Sequence, residues 1–311
     1  MNTSDATQDY RDVFRIRRFE EEVLALVRSG EITGSVHLCI GQEAVPAGAC
    51  RSLHPDDSVV ATYRGHGWAL ASGVPMAELF AELLGRASGL CGGRGGSAHL
   101  MAPAYGFLGE NSIVGAGLPM GLGTSLAAKF QGGGRLALVA VGDGAINQGV
   151  VHETLNMAAV LRVPLLVVVE NNGYAEMTPA DALTAVPAHV RAAAYGIPGL
   201  MVDGNDVTAV QAVTAEARER SLTESIPVIV EAMTHRLVGH YSGDAQVYRP
   251  KGELEGAKEL EPLVRLAHQL ADSVEQLRIE TAVSNEVREA LESARQHPFP
   301  DPTTVLDHLY A

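Results

Sequence analysis

Leu136-Ala137-Leu138-Val139-Ala140-Val141-Gly142-Asp143-Gly144 and Leu165-Leu166-Val167-Val168-Val169-Glu170-Asn171-Asn172 decide how this chain folds. Each is a strand-like apolar run closed by glycine or polar residues, and the stretch 147–161 between them has helix-like composition. Together they read as a βαβ unit, which puts both closing motifs at the carboxyl ends of neighbouring parallel strands. Open α/β sheets bind ligands at that edge. Asp143 and an Asn beside it offer oxygens to a hard cation, while the Gly144 and Ala145 N–H groups open a helix toward an anion. The pattern suits a metal-bound diphosphate. Gly-Asp-Gly alone reads equally as a turn in which Asp caps a helix, but such a cap needs no Asn pair at the next strand end.

Outward from this unit the same alternation continues. Residues 9–29 place Val13, Phe14, Ile16, Phe19, Val23, Leu26 and Val27 near helical spacing, stopped by Gly30. Further helices are predicted at 44–52, 75–84, 206–222, 255–272 and 274–296, and strands at 58–62, 200–202 and 227–233. The glycine-dense region 85–123 carries several turns and ends in a helix through Phe130, and the loop 235–252 has few core residues. The expectation is an α/β fold with a mainly parallel sheet, helices on both faces and C-terminal helices. No linker divides the chain, so residues 1–311 are expected to form a single domain.

Composition narrows the functions. Of 311 residues 46% are hydrophobic, enough for a large core, and the net charge of −14 disfavours nucleic acid and anionic membranes as partners. No apolar run reaches transmembrane length and Met1-Asn2-Thr3-Ser4-Asp5 lacks the features of a signal peptide. Cys39, Cys50 and Cys91 form no C-x-x-C pair, which fits a reduced, cytoplasmic protein.

Other motifs are ambiguous as residues alone. Gly115-Ala116-Gly117-Leu118-Pro119-Met120-Gly121-Leu122-Gly123 suggests a dinucleotide fingerprint, hence an NAD(P)-dependent dehydrogenase. Its spacing is one residue too long and no strong strand precedes it, so close packing of a helix is the preferred reading. Arg64, in Tyr63-Arg64-Gly65-His66-Gly67, suits a diphosphate through its two-pronged donor, or is a solvated turn residue. His37 is a core histidine or a catalyst, and His240 a loop catalyst or a solvated connection. The eleven histidines show no metal-ligand spacing.

Taken together, Gly142-Asp143-Gly144-Ala145, Asn147, Gly149, Glu153, Asn156-Met157-Ala158-Ala159, Pro164 and Glu170-Asn171-Asn172-Gly173-Tyr174 resemble the thiamine-diphosphate motif of the α subunits of 2-oxo acid dehydrogenase E1 components, of pyruvate and acetoin type. The resemblance extends through His37-Leu38-Cys39-Ile40-Gly41-Gln42-Glu43-Ala44, Tyr63–Gly67, Gly92–His99, Ile113–Ala116, Gly239–Arg249 and Pro300-Asp301-Pro302, almost the whole chain. It implies a thiamine-diphosphate-binding fold, with Mg²⁺ held by Asp143, Asn172 and the Tyr174 carbonyl. Tyr63, Arg64 and the Gly144 and Ala145 amides would hold the diphosphate, and main-chain groups of Ser112 and Val114 the aminopyrimidine. His37 and His240 would stand near the thiazolium, and Tyr248 with Arg249 would belong to a loop ordered by cofactor. Ser112 stands where members often carry Gly, and Val238 and Tyr241 replace a His and a phosphorylated Ser of animal pyruvate enzymes, so regulation by that route is not expected.

The resemblance also implies that a glutamate on the aminopyrimidine comes from a second domain of similar fold. Glu43 and Glu110 lie near motifs, yet neither follows the required pattern. The expectation is therefore a β subunit in an α2β2 assembly, decarboxylation of a 2-oxo acid or cleavage of acetoin, and acyl transfer to a lipoyl domain of an E2 acyltransferase. An acyloin-forming or acyl-transferring enzyme without a lipoyl acceptor is the alternative, as is a binding subunit that keeps the fold.

Overall fold

The computed structural model describes residues 3–307. Six parallel strands form one sheet in the order β2-β1-β3-β4-β8-β7, from β1 (Ser58–Thr62), β2 (Phe107–Asn111), β3 (Ala137–Gly142), β4 (Leu165–Asn171), β7 (Gly199–Asp203) and β8 (Pro227–Met233). A two-stranded hairpin, β5 (Tyr174–Ala175) and β6 (Thr178–Pro179), follows β4 directly. Helices are α1 (Thr3–Ser29), α2 (Ala44–Arg51), α3 (His66–Ala71), α4 (Met76–Leu83), α5 (Gly117–Gln131), α6 (Gly149–Val160), α7 (Ala188–Arg191), α8 (Val207–Glu224), α9 (Glu253–Glu259), α10 (Pro262–Leu270) and α11 (Ser273–Gln296).

The central strands are apolar on both faces because both faces are covered. Leu138, Ala140, Leu166, Val168, Val228 and Val230 point into one core with α1, α2, α4, α8 and α11. Ala137, Val139, Val141, Leu165, Val167, Val169 and Ile229 point into the other, with α5 and α6. This split follows the two-residue period of a strand. The first core is the larger and holds the fully buried Trp68, Phe19 and Phe80.

The glycine run 115–123 is a packing device. Gly121 on α5 crosses β3 so closely that an added Cβ would lie 2.1 Å from Val139 Cγ2, and one at Gly117 would lie 3.2 Å from Val60 Cγ1. That closeness accounts for the spacing without a dinucleotide. At α8 the Asp206 side chain accepts from Ala209 N–H at 3.0 Å, and at α11 Asp272 accepts from the Val274 and Glu275 amides. Such caps contribute about 1 kcal/mol each.

Several boundaries differ from expectation. Strand β2 and helix α3 were not predicted: the first is five residues interrupted by Gly109 at φ +129°, the second only six long. The helix expected at 255–272 is two, α9 and α10, because Pro262 starts a new helix and cannot continue an old one. Residues 145–147 form a 3₁₀ turn, and α6 begins at Gly149. The loop 235–252 is not free of core residues, since Arg236 is buried and Leu237 and Val238 pack on the larger core.

Strand order places the site. From β1 the chain proceeds to β2 on one side, and from β3 to β4 on the other, so a crevice opens between the carboxyl ends of β1 and β3. The segments leaving those ends are Tyr63-Arg64 and Asp143-Gly144.

Candidate active site

A cleft of about 250 Å³ fills that crevice. Its wall includes Tyr63, Arg64, Val114, Asp143, Gly144, Ala145, Asn172, Tyr174 and His240, nine residues singled out in the sequence, together with Gln42 and Arg236. His37 sits one layer back, its ring centroid 4.5 Å from that of Tyr63 and 4.9 Å from that of His240.

Asp143 is buried at the end of β3. Its Oδ1 accepts the Gly144 N–H at 3.0 Å, whereas Oδ2 has no protein partner. Burial pushes the carboxyl up to about 6, only partly offset by backbone hydrogen bonds. A buried carboxylate oxygen left unpaired is costly and calls for a cation. Asn172 turns its amide so that Oδ1 accepts the Tyr174 N–H at 3.1 Å while Nδ2 donates to Gln42 Oε1 at 2.9 Å. Tyr174 faces Pro179 across the hairpin, and Pro179 has no N–H to offer the Tyr174 carbonyl. Among the described residues no three His, Cys, Asp or Glu side chains group as a metal site. One carboxylate, one amide oxygen and one carbonyl are instead the sparse oxygen set that Mg²⁺ takes alongside phosphate oxygens. The neighbouring Asn171 is committed elsewhere: Nδ2 donates to the buried Glu231 at 2.8 Å and Oδ1 accepts from Gly173 N–H. The residues present therefore fit a metal with a diphosphate.

Two guanidiniums face the same cleft without carboxylate partners. Arg64 donates to the Leu38 carbonyl at 2.5 Å and the His240 carbonyl at 3.0 Å. Arg236, buried, donates to the Glu176 carbonyl at 3.1 Å, the Tyr248 hydroxyl at 2.7 Å and Nδ1 of His240 at 3.1 Å. All these acceptors are neutral, so both positive charges stay uncompensated where an anion would dock. Burial, with Arg64 nearby, lowers Arg236 to about 10, still protonated at neutral pH. Burial and the same two arginines hold His240 down at about 4. Burial and Arg64 hold His37 at about 3, and its Nδ1 lacks a protein partner. Both imidazoles are thus neutral at pH 7, able to accept or relay a proton.

The family model for the dehydrogenase E1 component matches residues 11–303. The chain belongs to the dehydrogenase E1 component family. It is 40% identical to the α subunit of acetoin:2,6-dichlorophenolindophenol oxidoreductase of Bacillus subtilis, over 97% of this chain and 92% of that one. It is 39% identical to the pyruvate dehydrogenase E1 component subunit α of Rhizobium meliloti, over 96% and 87%. The corresponding Zymomonas mobilis subunit is 40% identical over 94% and 84%. Membership in the E1 family brings dependence on thiamine diphosphate, and the donors described above suit that cofactor's tail.

Some sequence-assigned residues stand off the cleft of this E1 chain. Tyr248 and Arg249 lie behind Arg236: Tyr248 hydroxyl donates to Asp244 at 2.7 Å, and Arg249 binds the Arg236 carbonyl at 2.8 Å and Glu253 at 2.5 Å. Asp244 also accepts the His240 N–H at 2.7 Å, so this loop fixes the arginine and histidine that do face the cavity. The Ser112 hydroxyl lies 3.1 Å from His99 Nε2, outside the cleft wall, while Val114 is on it. Glu43 is held by Arg17 and the Gly41 N–H, and Glu110 is buried against Gly65, so neither lines the cleft. Arg236 and Gln42 are functional candidates the sequence reading missed. Gln42 lies in the quoted motif that begins at His37, whereas Arg236 carried no local signal.

Proposed function

We propose that this chain is the α subunit of an E1 enzyme, binding Mg²⁺ and the diphosphate half of thiamine diphosphate, and working in the cytoplasm as one 311-residue domain. The observation that carries this reading is the unpaired, buried Asp143 Oδ2 in a cleft with two arginines that lack carboxylate partners. Asp143, Asn172 Oδ1 and the Tyr174 carbonyl would hold the metal. Arg64, Arg236, Tyr63 and the backbone from Gly144 to Ala145 would hold the diphosphate, with Ser112 and Val114 offering main-chain groups to the ring. When bound, thiamine diphosphate supplies the electron sink for cleaving the bond next to a carbonyl. His240 and His37, neutral at pH 7, accept or return a proton beside it. Tyr248 and Arg249 keep Arg236 and His240 in place.

For the glutamate that a ring between Val114 and His240 needs, Glu43 and Glu110 are turned elsewhere, and of the two glutamates on the cleft wall Glu170 is held by Trp68 and Gln42 while Glu176 lies in the turn of the β5–β6 hairpin. A β subunit completing the site, in an α2β2 assembly, supplies that group in this reading. The acyl group passes to a lipoyl domain of an E2 acyltransferase. Similarity to both acetoin and pyruvate enzymes leaves the substrate class as acetoin or a small 2-oxo acid. Reductive acylation of a lipoyl domain by the reconstituted pair tests the reading. Acylation with pyruvate or acetoin, absent when this chain is alone, supports it. Full turnover by this chain alone would remove the β subunit, and products formed without lipoyl acylation would favour the acyloin-forming alternative.

A further inference from the structure

Behind the metal-binding edge lies a chain of polar side chains buried in the larger core. Trp68 Nε1 donates to Glu170 Oε2 at 3.2 Å, and Gln42 Nε2 donates to Glu170 Oε1 at 3.3 Å. Gln42 Oε1 accepts from Asn172 Nδ2 at 2.9 Å, and Asn172 Oδ1 accepts from the Tyr174 N–H at 3.1 Å. Trp68, Gln42 and Glu170 are all buried, Trp68 wholly so. Gln42 and Glu170 reach the cleft wall, whereas Trp68 lies wholly in the core. They run in a line from the core to the amide that the proposed function assigns to the metal.

The polarity of this line is forced. An indole N–H only donates and an ionised carboxylate only accepts, whereas a primary amide does either, depending on how it is turned. Glu170 therefore draws the Gln42 NH₂ toward itself, which leaves the Gln42 oxygen facing Asn172. That oxygen in turn draws the Asn172 NH₂, in agreement with the Tyr174 N–H, which also only donates and holds Oδ1 at the edge of the cleft. An Asn side chain is nearly symmetric in shape, and nothing in its packing distinguishes oxygen from nitrogen. Only the hydrogen-bond direction does.

We propose that Trp68, Glu170 and Gln42 form a positioning relay that sets the amide orientation of Asn172, so that an oxygen rather than an NH₂ is presented to the metal. The inference rests on the assignment of Mg²⁺ to Asp143 and Asn172. It makes Glu170 and Gln42 positioning residues whose contribution depends on polarity and not on volume.

Polarity can be reversed without changing shape. In Glu170→Gln, the side-chain oxygen must still accept from Trp68, so its NH₂ faces Gln42. Gln42 then turns its oxygen to position 170 and its NH₂ to Asn172, which is left either with Nδ2 against that NH₂ or, if it turns, with Nδ2 against the Tyr174 N–H and the metal; both arrangements weaken the oxygen ligand. Adding Gln42→Glu restores the original direction, because a carboxylate at position 42 accepts both from the amide introduced at position 170 and from Asn172. Gln42→Glu alone sets two carboxylates side by side.

The test is calorimetric titration of the full chain, with its β subunit, with thiamine diphosphate at graded Mg²⁺. E170Q is expected to raise the Mg²⁺ needed for half-saturation by about tenfold or more, the usual effect of losing a group that orients a metal ligand. E170Q/Q42E is expected to recover most of that loss, and Q42E alone to bind no better than E170Q. Wild-type Mg²⁺ dependence in E170Q, or a double variant no better than the singles, overturns the relay. If E170Q does not fold, Gln42→Leu takes its place, since it leaves only the Tyr174 N–H to orient Asn172 and is expected to raise the Mg²⁺ requirement. Asp143→Ala separates the two levels of inference: unchanged binding there removes the metal assignment itself, whereas loss there with no effect of E170Q removes only the relay.

Discussion

Arg236 Nη1 lies 3.1 Å from Nδ1 of His240, with Arg64 Nη2 3.5 Å from the same atom, and these donors fix where the imidazole carries its proton. A guanidinium only donates, so Nδ1 must accept, and the neutral ring bears its hydrogen on Nε2. The histidine is held in one tautomer and one charge state by a residue that a sequence reading leaves in a loop.

Removing Arg236 should therefore loosen the charge state. In Arg236→Met, one of the charges that lowers His240 is lost, so its pKa should rise from about 4, while burial and Arg64 still hold it below 6.5. Nitrogen chemical shifts of the ring across pH 4–8 would show this, and an unchanged titration would contradict the assignment. Affinity for thiamine diphosphate should fall on the order of tenfold, as expected for losing a charged hydrogen-bond donor.

Glu110 makes a different prediction, about stability and pH. The carboxyl is buried, neither oxygen has a protein partner, and burial pushes it up to about 8 from an ordinary 4.5. Between those values the folded chain keeps a proton that the unfolded chain has released, so stability falls as pH rises from 4.5 to 8. His37 and His240 act oppositely, since their depressed pKa values cost stability as pH falls below 6.5. Above pH 6.5 the two histidines drop out, and Glu170 and His66, both raised, act in the same sense as Glu110, so the variant is read as a difference from wild type. Glu110→Gln should therefore flatten the loss of denaturant stability between pH 6.5 and 9, by on the order of 2 kcal/mol. Parallel wild-type and variant curves over that range would show that Glu110 ionises at an ordinary pKa.

The glycines of α5 can be separated by an alanine pair. An added methyl at Gly121 meets Val139 at 2.1 Å, while nothing lies within 4 Å of one at Gly123. Gly121→Ala should cost about 1–3 kcal/mol through overpacking against β3. Gly123→Ala should be neutral or add up to about 1 kcal/mol of helix propensity. Chemical denaturation checks both, and equal effects would argue against packing as the reason for the run.

Much of this architecture is written in local pattern. The apolar runs ending at Val141 and Val169 marked two central strands, and their polar ends named Asp143 and the Asn171-Asn172 pair from the residues alone, the resemblance then choosing Asn172. What remained hidden is of two physical kinds. Strand β2, Phe-Leu-Gly-Glu-Asn, has little strand propensity and holds its place through tertiary pairing with β1. Arg236, in Thr-His-Arg-Leu-Val, looks like any solvated arginine until its burial is seen. Gln42 and Glu170 lay inside quoted motifs, yet their relation spans 128 residues of sequence and emerges only in space.

The central claim is that this cleft takes a metal-bound diphosphate and not a nicotinamide dinucleotide. Calorimetric titration of the α/β pair with thiamine diphosphate, with and without Mg²⁺, tests it most directly, with Asp143→Ala and NAD(P) as controls. Saturable binding that requires Mg²⁺ and disappears in Asp143→Ala is the predicted result. Metal-independent binding of NAD(P), or thiamine diphosphate binding indifferent to both Mg²⁺ and Asp143, would contradict it.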